Sequence, residues 1–292
     1  MSSIANRFFP APLNFLLRQA QIRHYPGKYR LFVWLKRYFS HKVIRYPINQ
    51  AEFCVPLQEL CFWLEGGPQQ YYPQDILPFA RAINQLEGER IFIDCGADIG
   101  TVSMMVNAEL QADIPFICIE PNPNAFELLQ ANQPAIGRQV RVLPYAISNF
   151  EGHARLNFNR AQISDHEAHL ALNEDGDTRV TTVDTLSREL GFEHCPNIVL
   201  KVDVEGQEQA LFEGAKALIS QAKQCIILLE IHPDVLAREG LQAEYIFAQV
   251  EQYGDFSWTV PELDNQVVDR NREFYTQFAL KQYDVMGVKR SN

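Results

Sequence analysis

The sequence predicts an α/β fold in which helices cover a mostly parallel β-sheet. From about residue 74 onward, short apolar runs alternate with longer segments of helical periodicity, the pattern of repeated strand and helix units. The 292 residues suffice for one large domain with an appendage, and 47% of them are hydrophobic, so most of the chain can form a packed core. Residues 1–73 precede this alternation and are predicted to form an N-terminal extension on or beside a core at 74–292.

The core elements follow from hydrophobic periodicity. Apolar runs predict five strands, near 91–95, 115–120, 140–144, 198–203 and 225–231. The intervening segments predict four helices, at 99–109, 123–132, 206–220 and 234–252. Three strand-like pieces follow and would complete the sheet: FSWTVPE, FYTQFALK and YDVMGVKR.

The segment 151–184 interrupts this rhythm. A strand-like GHARLNFN is followed by a polar loop, and then RVTTVDTL resumes an extended pattern. Because long loops inside compact domains are commonly functional, we expect a substrate-facing insertion here. Near its end, Asp184 is expected to cap the helix that follows, with Gly191 at the far end of that helix.

Charge is distributed unevenly along the chain. Residues 1–51 carry nine Lys or Arg and no Asp or Glu, whereas the formal net charge of the whole chain is −10. This basic arm fits short amphipathic helices broken at Pro10, Pro12 and Pro26-Gly27. Such helices can lie on an anionic membrane surface, or their apolar side can simply pack on the acidic body. The acidic total argues against affinity for nucleic acid over the whole surface.

The cysteines and the apolar runs indicate a cytoplasmic protein. None of the six cysteines forms a CxxC pair, and three lie in strand-like runs, which suits buried thiols in a reducing compartment. No stretch approaches the roughly 18 apolar residues of a membrane span, and no secretory signal is recognisable. Contact with the inner face of the membrane through residues 1–45 is compatible with this location.

The stretch DCGADIG joins the first core strand to a helix. Gly96 and Gly100 leave room for backbone N–H groups to approach a ligand at the start of the helix. The spacing matches neither GxGxxG nor GxxxxGK[ST], so a nicotinamide-dependent oxidoreductase is disfavoured, and a plain tight turn is an equally good explanation of this stretch alone. Glu120, at the end of the second strand, is at the offset where an acid can accept both ribose hydroxyls of a nucleoside. Ala146 and Ile147, after the third strand, could contact an adenine or belong to the core.

The stretch LKVDVEGQE carries three charges beside an apolar strand. Alternation would place Lys201, Asp203 and Glu205 on one side, at the carboxyl edge where such sheets bind ligands. The structural alternative is an internal ion pair of Lys201 together with a helix cap.

Glu230 and His232, in LLEIHPDV, share a face and would lie beside Asp203 if their strands are neighbours. A carboxylate or a histidine there could remove the proton from a substrate hydroxyl, and His232 has a suitable ordinary pKa near 6.5. Alternatively, Asp203, Glu230 and His232 could hold a divalent ion. His166 and His169 in the inserted loop are further candidate partners.

Taken in order, these stretches resemble one family. The runs FIDCGADIG, IEPNPNAFELLQAN, YAIS..EG, VTTVDTL, IVLKVDVEGQEQALFEGAKALI and ILLEIH, from about residue 90 to 232, are similar to the FkbM family of S-adenosylmethionine-dependent methyltransferases. The resemblance implies a Rossmann-like class I sheet of seven strands, the last antiparallel. It also implies methylation of a hydroxyl oxygen on a sugar, glycan precursor or natural product.

The resemblance implies a role for each matching residue. The methionine part of the cofactor would be framed by Asp94, Gly96, Asp98 and Gly100, its ribose by Glu120 with Pro121, and its adenine by Ala146 and Ile147. Asp98 departs from the Gly or Asn common at its position, but all three residue types tolerate left-handed backbone angles. The candidate catalytic residues are Asp203, His232, Lys201, Glu205 and Glu230, and no metal is assigned.

Two other classes of function remain open from the sequence. One is a non-catalytic protein of this fold whose arm docks on lipid or on a partner protein. The other is a methyltransferase acting on RNA or a lipid-like molecule, although the acidic body would repel phosphates. The sequence predicts no oligomeric state.

Overall fold

The structure is a computed structural model, and it describes residues 4–159, 162, 169–171 and 176–290. The N-terminal extension begins with a short 3₁₀ helix at Ile4–Arg7 and ends with another at Pro68–Gln70. Between these lie five elements: α1 (Ala11–Ile22), α2 (Lys28–Phe39), β1 (Val43–Ile48), β2 (Ala51–Pro56) and α3 (Leu60–Glu65).

The core follows the predicted alternation. Its first half contains α4 (Pro73–Asn84), β3 (Arg90–Cys95), α5 (Thr101–Glu109), β4 (Phe116–Ile119), α6 (Pro123–Ile136), β5 (Val140–Leu143), β6 (Ala146–Ile147), β7 (Gly152–Asn157), β8 (His169–Ala171) and β9 (Thr178–Thr181). Its second half contains α7 (Val183–Leu190), β10 (Asn197–Val202), α8 (Glu208–Gly214), α9 (Lys216–Gln221), β11 (Gln224–Ile231), α10 (Pro233–Glu239), α11 (Ala243–Glu251), β12 (Phe256–Val260), β13 (Gln266–Val267), α12 (Phe274–Gln277) and β14 (Tyr283–Lys289).

The main sheet has the order β13-β12-β14-β11-β10-β3-β4-β5. Strands β11, β10, β3, β4 and β5 pair in parallel, whereas β14 runs antiparallel to both of its neighbours. The predicted Rossmann-like fold with an antiparallel last strand is therefore confirmed. The sheet has eight strands rather than seven because the two-residue β13 adds to its edge.

Some predicted elements differ from those observed. FYTQFALK forms the short helix α12 and a turn rather than a strand, because Phe274 and Phe278, four residues apart, both turn into an aromatic cluster with Tyr283. The predicted helices 206–220 and 234–252 are each two helices, interrupted at Ala215 and at Gly240. The extended part of RVTTVDTL ends at Thr181.

The inserted segment forms a second, small sheet. Strand β7 pairs antiparallel with β8 and β9, and β9 pairs in parallel with β6. His166, the side chain of His169 and much of the polar loop lie outside the described residues. The substrate-facing role of 151–184 stays a prediction.

The prediction for Asp184 was wrong about the helix it caps. Thr182 caps α7, since its hydroxyl accepts a hydrogen bond from the backbone N–H of Thr185 at 3.0 Å. The Asp184 carboxylate instead accepts from the N–H groups of Ala217 and Leu218, at 2.9 and 2.8 Å, and so caps α9. Gly191 ends α7 in the left-handed conformation, as expected.

The extension packs against the core. Phe9, Leu17, Phe32 and Trp63 belong to one buried cluster that also contains core residues such as Phe92. Pro10 and Pro26-Gly27 lie at helix ends, whereas Pro12 lies within the first turn of α1, where the missing N–H costs nothing. No helix within the described ranges is both long and apolar enough to cross a bilayer.

Candidate active site

A cavity of about 230 Å³ lies at the carboxyl ends of the central strands. Its lining includes Gly96, Lys201 and Asp203, next to the bend after β3. Its lining also includes Tyr71 and Tyr72 from the N-terminal extension. The extension is thus part of the site as well as of the core.

The bend after β3 requires its glycines for different reasons. Gly96 has φ 81°, and a Cβ there would lie 1.7 Å from the backbone oxygen of Asp203. Gly100 has φ 87°, and its Cβ would lie 2.4 Å from Cδ1 of Ile136 on α6. Asp98 has φ 47°, the left-handed conformation that its residue type was expected to tolerate. The first glycine therefore lets two strand ends meet, and the second lets α5 start against α6.

Glu120 adjoins this bend. Its Oε2 accepts a hydrogen bond from the backbone N–H of Asp98 at 2.8 Å, and its Oε1 accepts from that of Asn122 at 2.7 Å. Burial, followed by the nearby charge of Asp98, raises the pKa of Glu120 to about 8. Each carboxylate oxygen keeps a second lone pair that could accept a ribose hydroxyl. Pro121 follows directly and is half-buried.

Two buried polar atoms beside the bend accept or donate no hydrogen bond within the part of the chain that the structure describes. Asp94 is fully buried, and only its Oδ2 accepts a hydrogen bond, from the Ser103 hydroxyl at 2.5 Å. Neither Asp94 Oδ1 nor the hydroxyl of Thr101, which lines the cavity, has a hydrogen-bond partner among the described residues. Unsatisfied polar atoms of this kind are costly in a closed core. They fit a site for a polar ligand at the start of α5.

Lys201 is the centre of an internal ion-pair network. Its Nζ donates to the backbone oxygen of Gly96 at 2.8 Å and to Oδ2 of Asp203 at 2.9 Å, and lies 3.8 Å from Oδ1 of Asp94. Burial alone would lower the pKa of Lys201, but the charges of Asp203 and Asp94 raise it above its ordinary value. The internal ion pair that the sequence offered as an alternative explanation of Lys201 is therefore present. The same contacts fix Asp203 against the bend.

Asp203 and Glu230 form a carboxyl pair across the neighbouring strands β10 and β11. Burial opposes the charge of Asp203, but Lys201 holds the pKa of Asp203 below its ordinary value. Burial and the charge of Asp203 raise the pKa of Glu230 well above its ordinary value. Protonated Glu230 can therefore donate to ionised Asp203. His232 Nε2 lies 3.3 Å from Oε1 of Glu230.

Glu205 does not share the face of Lys201 and Asp203. The alternation fails because β10 ends at Val202 and the chain then turns through Glu205 at φ 50°. Glu205 borders a separate small recess with Glu230 and His232. The Glu208 carboxylate, at the start of α8, accepts from the N–H of Gly206 at 3.0 Å and so stabilises the turn before the helix.

Ala146 and Ile147 are buried, with 2% and 3% of their surfaces exposed. Ala146 packs with Ala154 and Val180, and Ile147 belongs to the hydrophobic cluster on one face of the main sheet. Neither residue lines the cavity. Their contact with an adenine stays a prediction.

Sequence reasoning missed several residues of the cavity. Tyr71, Tyr72 and Asp75 precede or open α4, and Asp284 lies directly opposite Glu230 in the β11–β14 register. The one available signal was an acid inside the otherwise apolar strand YDVMGVK. No cluster of three or more metal-ligating side chains occurs in the part of the chain that the structure describes, so the metal alternative gains no support.

A family model described as the methyltransferase FkbM domain matches residues 94–256, more than half of the chain. The chain belongs to the FkbM methyltransferase family. It is therefore an S-adenosylmethionine-dependent methyltransferase by family. The orphaned polar atoms of Asp94 and Thr101, the open bend at Gly96 and the carboxylate of Glu120 fit the amino acid and ribose parts of that cofactor.

Solved structures similar to this FkbM-family chain share little sequence with it. Magnesium protoporphyrin IX methyltransferase from Synechocystis PCC 6803 is 13% identical, with 95% of this chain and 97% of that chain covered and a TM-score of 0.42. M. jannaschii TYW2 in complex with AdoMet is 10% identical, with 85% and 84% covered and a TM-score of 0.39. Likeness at this level carries no functional argument. A search of curated proteins gave no match.

Proposed function

We propose that this protein transfers a methyl group from S-adenosylmethionine to a hydroxyl oxygen of a sugar, glycan precursor or natural product. The observation that carries the proposal is the position of Asp203, an ionised carboxylate held by Lys201 against the bend that accommodates the cofactor. The hydroxyl acceptor and its chemical class rest on the family resemblance.

In this proposal the cofactor lies along the carboxyl edge of the sheet. Its methionine part contacts the bend formed by Asp94, Gly96, Asp98 and Gly100. Its ribose hydroxyls donate to Glu120, beside Pro121, and its adenine lies near Ala146 and Ile147. When bound, the cofactor supplies a methyl group on a positively charged sulfur, which an oxygen nucleophile can displace.

Asp203 serves as the general base. A neutral hydroxyl is a weak nucleophile, so it needs a base in hydrogen-bond reach as the new carbon–oxygen bond forms. Asp203 lines the cavity and is kept ionised, so it can take the hydroxyl proton. Lys201 positions Asp203, and protonated Glu230 donates a hydrogen bond to it. Glu205 has no part in this scheme because it lies outside the cavity.

The acceptor class is testable in cells. Glycans and lipids from cells that contain the wild-type protein are compared by mass spectrometry with those from cells that contain the Asp203→Asn variant. We expect a species that is heavier by one methylene with the wild-type protein and absent with the variant. Identical profiles, or a methyl group found on nitrogen, would contradict O-methylation.

We also propose that α1 and α2 form a membrane-facing surface. Phe15, Leu16, Tyr29, Trp34 and Tyr38 are between 51% and 62% exposed on these two helices, and both helices pack on α3. The same helices and the residues next to them expose four cations and no acid: Arg23, Arg30, Lys36 and Arg37. Exposed aromatic and basic side chains on one element suit an anionic lipid surface. The opposite side of each helix is buried, so packing and membrane contact do not exclude each other.

Substitution of this surface is expected to weaken lipid binding. Since burial of one large apolar side chain contributes about 1.5–3 kcal/mol, the double variant Leu16→Ser, Trp34→Ser should sediment with phosphatidylserine vesicles at least about tenfold less well. Val267→Ser, a change at a residue 68% exposed on the sheet edge, is the matched control. Deletion of the arm is unsuitable because Leu17 and Phe32 belong to the core. Equal sedimentation of the wild-type protein, the double variant and Val267→Ser would contradict the proposal of a membrane-facing surface. Binding that does not depend on anionic lipid would also contradict it.

A further inference from the structure

Besides Asp203 and Glu230, the cavity is lined by carboxylates from three separate elements. Asp75 comes from α4, Glu262 from the 3₁₀ helix at Pro261–Leu263, and Asp284 from β14. Among the described residues that line the cavity, seven acids face two lysines. Lys201 is engaged by Asp203 and the bend, and Lys281, whose side chain is 53% exposed, lies 2.7 Å from Glu262. Both lysines are thus paired with other carboxylates, although Lys281 still acts on the charge of Asp75 and Lys201 on that of Asp284.

Asp75 is the member of this set that points to a missing ligand. Only 5% of its surface is exposed, and its Oδ1 has no hydrogen-bond partner among the described residues. Its place in the first turn of α4 favours a negative charge but leaves that oxygen unpaired. Because an unpaired buried carboxylate oxygen is costly, a donor from a ligand would stabilise it.

The charges around Asp75 make the site attractive to a cation. Burial, with the charges of Asp284 and Glu262, raises the pKa of Asp75 to about 7, against smaller opposing effects of a hydrogen bond from the Glu262 backbone and of Lys281. Burial also raises the pKa of Asp284 to about 6, where Lys201 opposes Asp203 and Glu262. Without a ligand, the two carboxyl groups are therefore partly protonated near neutral pH. A bound cation would keep both of them ionised.

We propose that the methyl acceptor carries a protonated amine that docks between Asp75 and Asp284. This inference rests on the proposed function, because it places the amine of the acceptor in the same cavity as Asp203. An ammonium group has three donors and can satisfy Oδ1 of Asp75 and a second carboxylate at once. Phosphorylated or carboxylated acceptors would be repelled by the same residues.

A pair of sugars that differ in one charge tests the proposal. 6-Amino-6-deoxy-D-glucose and D-glucose are titrated into the full-length protein by calorimetry at about pH 7.5, where an alkyl amine is protonated, with and without S-adenosylhomocysteine. We expect the amino sugar to bind at least about tenfold more tightly, as charge-assisted hydrogen bonds require. Its affinity should fall toward about pH 5.5, since protons then compete for Asp75 and Asp284.

Substitutions test whether the preference for the amino sugar over glucose arises at this site. Asp75→Asn and Asp284→Asn should each reduce the preference to near zero, whereas Asp113→Asn, a change at an exposed acid elsewhere, should keep it. The folded pKa of Asp75 lies above its unfolded value, so its ionisation destabilises the fold as pH rises from about 4 to about 7. Asp75→Asn should therefore raise the melting temperature at about pH 8, which separates loss of binding from loss of folding.

Each contrary result has one meaning. Equal binding of the two sugars, no binding of the amino sugar, or a preference retained in Asp75→Asn overturns the amine site. Binding of Mg²⁺ by the same carboxylates in place of the amine also overturns it. Binding of S-adenosylhomocysteine with no amine preference leaves the methyltransferase function standing. An amine preference without cofactor binding contradicts the methyltransferase function instead.

Discussion

Replacement of Asp203 by Asn is expected to lower kcat by about 10²- to 10⁴-fold, the usual contribution of a positioned general base. The amide keeps the shape of the side chain, and its oxygen can still accept from Lys201, but it cannot take the hydroxyl proton. Cofactor affinity should change little, because the bend and Glu120 are untouched. The measurement is methyl transfer from labelled cofactor together with calorimetry of S-adenosylhomocysteine.

Glu230→Gln is the matched control for this variant. Burial and Asp203 keep Glu230 protonated, so a neutral amide can still donate to Asp203. Its effect on kcat should be far smaller than that of Asp203→Asn. Wild-type turnover in Asp203→Asn, or equal losses in the two variants, would remove Asp203 from the role of base.

Gly96→Ala is expected to have the largest effect on structure and cofactor binding. A Cβ at this position would lie 1.7 Å from the backbone oxygen of Asp203, and that atom cannot move without shifting the end of β10. Displacement of the reacting groups by about 1 Å can cost about 100-fold in activity, and we expect a loss of this order in turnover and a clear loss in cofactor affinity.

Gly88→Ala separates the clash from backbone strain. Gly88 has φ 85°, close to that of Gly96, but a Cβ there would meet nothing within 4 Å. The control should therefore lose only about 1–2 kcal/mol of unfolding free energy, the cost of a left-handed angle, and bind the cofactor normally. Thermal unfolding and calorimetry of both variants distinguish these effects. Equal losses in the two would show that the approach of Asp203 to Gly96 is unimportant.

The parts of the fold that the sequence predicted well are those dominated by one signal. The observed ends of β3, β10 and β11 agree with the predicted ends to within one residue, because buried parallel strands appear as continuous apolar runs. Parallel pairing then aligns their ends, so the sequence alone could place Asp203 and Glu230 near the glycine bend. The same alignment of parallel strand ends predicted that Glu120, at the end of β4, lies beside the bend.

The parts that were missed depend on contacts between distant segments. Asp184 looks like a cap for its own helix, and only the packing of α9 shows where its carboxylate binds. Glu205 fits the strand alternation in the sequence, but a turn at φ 50° removes it from the face that Lys201 and Asp203 share. Tyr71 and Tyr72 reach the cavity because the extension folds back on the core, and Asp75 reaches it from the first turn of α4. No local pattern in the sequence contains that information.

The central claim is that Glu120 and the bend at Gly96 together bind the adenosine-bearing cofactor, and its most direct test is calorimetry of S-adenosylhomocysteine across pH. Ribose hydroxyls donate to the ionised carboxylate, and the pKa of Glu120 is raised to about 8, so wild-type affinity should rise as pH increases from about 6 to about 8 and then level off. Glu120→Gln should bind at least about tenfold more weakly above about pH 8 and show no such rise, since two hydroxyl contacts to a charge are lost. A wild-type affinity that is independent of pH and equal to that of Glu120→Gln would contradict the claim.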